Sequence, residues 1–134
     1  IALFSDAVKR TIHTALHCSG KRRFLSKNPP HTARIPILLS MFPDAKFIYI
    51  HRNKRDVIDS TRRFFRSTID SIALQRISTA ELNYQIERTY HALLRRYHND
   101  KRLIPRGNLC QIEFEDFVTN PHDSTEYIYQ TLSL

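Results

Sequence analysis

Lys46–Phe65, KFIYIHRNKRDVIDSTRRFF, is the stretch whose reading decides the fold. It begins as a short apolar run, Phe47-Ile48-Tyr49-Ile50, of β-branched and aromatic residues. The turn residues Pro43-Asp44 precede it, so it reads as a buried strand. His51-Arg52-Asn53 then breaks the run and a helical period takes over. Val57, Ser60, Thr61, Phe64, Phe65 and Thr68 recur at the spacing of one helix face. Asn53 with Asp56 three residues later is an N-cap pair close to a capping box, which assigns Asp56 to capping. Strand, tight loop and helix together set a helix N-terminus at the carboxyl end of a parallel strand. Unpaired N–H groups and the positive end of the helix dipole meet there, and anions bind such places readily. Arg52, at the strand end, can hold a phosphate by two parallel hydrogen bonds. Ser60, a turn into the helix, can point its hydroxyl at the same anion. The plain alternatives are a solvated Arg52 and a Ser60 that packs and bonds its own backbone.

Working outward, Leu3, Ala7, Ile12, Ala15 and Leu16 fall at helical intervals, and Gly20 stops that helix. Arg23-Phe24-Leu25-Ser26-Lys27 reads as a short strand, ended by Asn28-Pro29-Pro30 because proline cannot donate to a ladder. Thr32 to Met41 reads as a helix, with Pro36 near its first turn. Ser78-Thr79-Ala80-Glu81 is a capping box. It opens a long amphipathic helix with Leu82, Ile86, Tyr90, Leu93, Leu94 and Tyr97 on its core face. Pro105-Arg106-Gly107-Asn108 marks a loop, Leu109 to Phe114 alternates as a strand, and His122 onward is helical. The expected order, α-β-α-β-α-α-β-α, implies an α/β fold with a parallel sheet flanked by helices. Ligands of such sheets sit off the carboxyl ends of strands. Lys27 and Arg52 both occupy such ends, in strands joined by one helix, so neighbouring strands would bring the two cations to one crevice.

The chain has 134 residues, enough for one domain with a core. Its net charge of +8 is uneven. Residues 1–76 carry 15 Lys/Arg against 5 Asp/Glu, whereas residues 77–134 carry 6 against 8. The basic half contains the expected anion site, which suits a multiply anionic ligand. Two distant cysteines, Cys18 and Cys110, give neither a disulfide framework nor a metal spacing. No apolar run is long enough to span a membrane, and the N-terminus does not read as a signal peptide. A cytoplasmic location is the default expectation. The first residue is Ile and the last, Leu134, falls within a helical pattern, so the chain reads as an internal fragment or a trimmed gene product.

Arg52 to Ser60, RNKRDVIDS, resembles the 3′-phosphate-binding motif of sulfotransferases that use 3′-phosphoadenylyl sulfate (PAPS). KNPPHTARIPILLSMFPDAKFIYIHRN, from Lys27 to Asn53, is similar to the bacterial-type sulfotransferases, and QRISTAELN and IPRGNLCQIEFEDFVTNP continue the likeness. The resemblance implies a partial P-loop-NTPase-like sulfotransferase domain over residues 1–134. It further implies PAPS as sulfuryl donor, a hydroxyl or amine on a small molecule or carbohydrate as acceptor, and no metal. Arg52 and Ser60 would grip the 3′-phosphate. Lys27 would neutralise charge on the departing phosphate and His31 would take the acceptor proton. The well-known cytosolic members carry Lys-x-His where this chain has Lys-x-x-x-His. The plain alternatives are an exposed Lys27 before a proline turn and a His31 that merely opens a helix.

The family's N-terminal glycine loop for the 5′-phosphosulfate has no counterpart here, since Gly20 and Gly107 are the only glycines and neither sits in a phosphate cradle. The segment that completes the 3′-phosphate pocket is expected beyond Leu134. The chain thus reads as half of a donor site, inactive alone. Two other readings compete. A nucleotide-kinase-like fragment would want GxxxxGK[ST] and an acidic metal ligand. A basic nucleic-acid-binding module would use Arg62, Arg63 and Arg66, yet Phe64 and Phe65 are wanted for the core rather than for stacking. The expected partner is therefore a small molecule, with no nucleic acid.

Overall fold

The computed structural model of the protein describes residues 2–134. Helix α1 spans Ala2–Ser19 and ends where Gly20 turns with a φ of 63°, a conformation costly for any residue with a Cβ. A 3₁₀ turn, Pro29–Ala33, leads into α2, Ile35–Met41. Strand β1 is Phe47–His51, α3 is Lys54–Ile72 and α4 is Thr79–Asp100. Strand β2, Leu109–Glu113, is followed by α5, Phe114–Thr119, and α6, Pro121–Leu132. The strands pair in parallel, in a register running from Phe47↔Leu109 to His51↔Glu113.

The α/β class and the strand–loop–helix unit at residues 47–72 agree with the sequence reading, but three expectations are corrected. Arg23–Lys27 is not a strand: residues 21–30 are exposed and Arg23–Lys27 make no ladder. An extended segment becomes a strand only beside another backbone, and β1 and β2 pair with each other instead. The order over the described residues is α-α-β-α-α-β-α-α. The second correction concerns Thr32–Met41, which divides at Arg34 into the 3₁₀ turn and α2. Pro36 takes an opening position of α2, where its missing N–H costs nothing.

The third correction is one of phase. The buried side of α3 carries Ile58, with Phe65 and Ile69, against Leu82, Ile86 and Tyr90 of α4. Ser60 is exposed and Phe64 is 59% exposed, so neither belongs to the packed stripe. Adjacent Phe64 and Phe65 allow two phases of the same period, and contact with α4 selects one.

Parallel register sets two faces. Phe47, Tyr49 and Leu109 pack on Ile35, Leu39, Tyr97 and Ile104, while Cys110 and Ile112 pack on Ile128 and Leu132 of α6. Ile48 and Ile50, on the same face as Cys110 and Ile112, are 38% and 46% exposed, since α6 packs chiefly on β2. The Ser78 cap forms as read, its Oγ accepting from the Glu81 N–H at 3.1 Å. Ser78→Ala is expected to lower stability by about 1 kcal/mol, and Ser78→Asp to restore it, in urea denaturation.

Candidate functional site

Because β1 and β2 run parallel and end together at His51↔Glu113, Arg52 leaves β1 beside Phe114. The guanidinium lies over the Phe114 ring, 4.4 Å from its centroid. Its Nε is 3.6 Å from Glu115 Oε1 and 3.8 Å from Asp56 Oδ2. Both separations exceed hydrogen-bond length, and among the described residues no hydrogen bond uses the guanidinium. Asn53 caps α3 by accepting from the Arg55 N–H at 2.9 Å, whereas Asp56, assigned to capping, makes no capping hydrogen bond among the described residues and lies beside Arg52. The Val57 N–H reaches the Asn53 carbonyl. No hydrogen bond engages the Lys54 or Asp56 N–H among the described residues, so donors remain at this positive helix end.

Ser60 follows Asp56 by four residues and so shares its side of α3, one turn further along. Thr61, Ser67 and Thr68 each donate their hydroxyl to a carbonyl of the preceding turn. No such bond holds the Ser60 hydroxyl among the described residues, so its packing alternative is not the state observed. Arg52, Asp56 and Ser60 therefore line one side of the β1–α3 unit.

Lys27 lies in the exposed segment between α1 and the 3₁₀ turn. His31 lies in that turn, which packs on α4. Its Nε2 is hydrogen-bonded to Ser26 Oγ at 3.1 Å, and its Nδ1 is buried without a partner. Burial, aided by the Arg34 charge, pulls its pKa below the ordinary 6.5, which favours the neutral ring. No hydrogen bond or ion pair links Lys27 or His31 to Arg52 or Ser60 among the described residues. With no strand at Arg23–Lys27, the expectation that neighbouring strand ends bring Lys27 beside Arg52 loses its premise.

A cavity of about 230 Å³ lies on a different side of α3, lined by Lys54, Arg55, Ile58, Asp59, Arg62 and Glu87. There Arg62 binds Asp59 at 3.2 Å and also pairs with Glu87, tying α3 to α4. That tie gives Arg62 a structural task. Among the described residues no group of three or more His, Cys, Asp or Glu clusters, and no helix is long and apolar enough to cross a membrane. The residues that sequence reasoning missed are Phe114 and Glu115. Their signal was the acidic break after the Leu109–Glu113 alternation, legible only once β2 is known to neighbour β1.

Residues 1–134, the whole chain, match the profile of the sulfotransferase family. Similar relatives are the omega-hydroxy-beta-dihydromenaquinone-9 sulfotransferases Stf3 of Mycobacterium bovis and Mycobacterium tuberculosis. Each is 30% identical over 114 residues, which cover 85% of this chain and 29% of the relative. The chain thus spans under a third of the length of those relatives. No solved structure matches it. With a strand–loop–helix unit that carries Arg52 and Ser60, and a family match from end to end, the chain belongs to the sulfotransferase family.

Proposed function

We propose that the protein takes part in sulfuryl transfer from PAPS, and that the β1–α3 unit holds the 3′-phosphate of the donor. The observation that carries this reading is the coincidence of uncommitted donors: the Arg52 guanidinium, the Ser60 hydroxyl and the free N–H groups opening α3. A phosphate dianion satisfies all three kinds at once. Titration of adenosine 3′,5′-bisphosphate into the chain tests it. Binding that ignores both Arg52→Ala and Ser60→Ala excludes the site.

The reaction is an in-line displacement in which the acceptor oxygen bonds to sulfur as the bond from sulfur to the donor phosphate breaks. Positioning and charge neutralisation are the protein's main contributions to chemistry of this kind. Lys27, on an exposed segment, is assigned to the leaving oxygen. His31 is assigned to the proton released by the acceptor. Because the relatives are named for an omega-hydroxy compound, a hydroxyl on an apolar small molecule is the acceptor class proposed.

His31 offers a separate check. A base whose pKa is lowered stays unprotonated to lower pH, so the acid limb of kcat/KM, which reports the free enzyme, is expected below pH 6.5 in the active transferase. His31→Asn should remove that limb and cost about 100-fold or more in kcat. An acid limb above pH 6.5, or an unchanged kcat, would exclude His31 as the base.

A further inference from the structure

We propose that Glu115 is a positioning residue for Arg52, holding the guanidinium so that its terminal Nη groups are presented to the nucleotide phosphate. The inference rests on the donor-site reading above. Phe114 and Glu115 directly follow β2, and both reach Arg52, from different directions. The ring lies 4.4 Å from the guanidinium carbon and the carboxylate 3.6 Å from Nε. Asp56 approaches the same Nε from α3, at 3.8 Å. Both carboxylates come closest at Nε, on one edge of the planar group. Neither is near enough to consume a hydrogen, so the opposite edge keeps its donors for a bidentate contact.

Charge near an anion site also has a competing consequence, and its sign decides the role. If Glu115 only repelled the phosphate, removing its charge would tighten binding. If it orients Arg52, removing its charge releases a long side chain that must be ordered again when the anion arrives. That ordering weakens binding by about 3- to 10-fold. Exposed pairs at these distances add little to stability, so the effect belongs to affinity and not to folding.

The test compares wild type with Glu115→Gln, using calorimetric titration of adenosine 3′,5′-bisphosphate, the melting temperature and the Arg52 Nε–Hε NMR resonance. Arg52→Lys identifies that resonance by its loss. Expected for Glu115→Gln are a Kd raised about 3- to 10-fold, an unchanged melting temperature and a shifted or broadened Nε–Hε signal in the free protein. Glu115→Asp should restore the signal in part. An unchanged or lowered Kd, or an unmoved Nε–Hε signal, overturns the proposal. Failure of wild type to bind bisphosphate overturns the donor-site reading itself, and the Nε–Hε signal then decides whether Glu115 orients Arg52.

Discussion

Arg52→Ala is expected to weaken adenosine 3′,5′-bisphosphate by about 2–3 kcal/mol, roughly 30- to 150-fold in Kd. The size follows from what is lost: a charged, bidentate-capable donor whose hydrogens no other group uses. Ser60→Ala removes one neutral hydroxyl and should cost about 1 kcal/mol, near 5-fold. Arg52→Lys keeps the charge but loses the planar fork and the ring contact with Phe114, so it should fall between wild type and Ala. Stability should change little in any of these variants, because Arg52 is over a third exposed and its two ion pairs are long. Calorimetric titration at fixed ionic strength measures the series. Equal affinities across it would sink the phosphate assignment.

Tyr97→Ala is expected to be the most damaging core change, at about 3–5 kcal/mol in urea denaturation. Tyr97 is 3% exposed. Its ring stacks on Tyr49 with centroids 3.9 Å apart, and its hydroxyl donates to Gln111 Oε1 at 2.6 Å. One side chain of α4 thus touches both strands and helps set how β1 and β2 lie. Natural domains hold about 5–15 kcal/mol in all, so a loss of this size leaves the sheet poorly populated. Tyr97→Phe keeps the ring and should cost about 1 kcal/mol.

The same residue predicts an alkaline limb. Burial, with Tyr49 adding to it, pushes the Tyr97 pKa up to about 12 from an unfolded value of 10.0. The unfolded chain therefore loses this proton first. The neutral phenol's contribution is complete below pH 10 and is lost as pH rises through about 12. Tyr97→Phe should flatten the urea midpoint between those values. An identical decline in both proteins would show that other groups cause it.

Much of this molecule was readable because the relevant forces act over a few residues. The Ser78 cap and the long amphipathic helix behind it follow from local hydrogen bonding and a 3.6-residue period. The turn from Ile50 through Asn53 into α3 is equally local, and it places Arg52 and Ser60 on one unit. The Arg23–Lys27 strand failed for the opposite reason. Its β-prone residues are necessary for a strand but not sufficient, since the hydrogen bonds must come from a distant neighbour. The phase of α3 failed similarly, because Phe64 and Phe65 satisfy the period equally well and only α4 distinguishes them.

The amino-acid order alone determined the strand–loop–helix unit, the basic bias of its surroundings and the family resemblance, all of which are written in short spacings. Tertiary structure alone decided that β2 lies beside β1. That pairing delivers Phe114 and Glu115 to Arg52 across more than sixty residues of chain. Among the described residues neither Lys27 nor His31 makes a hydrogen bond or ion pair with that guanidinium. Local codes set where an anion site can begin. Strand pairing, whose partners are specified only in three dimensions, sets which side chains surround it.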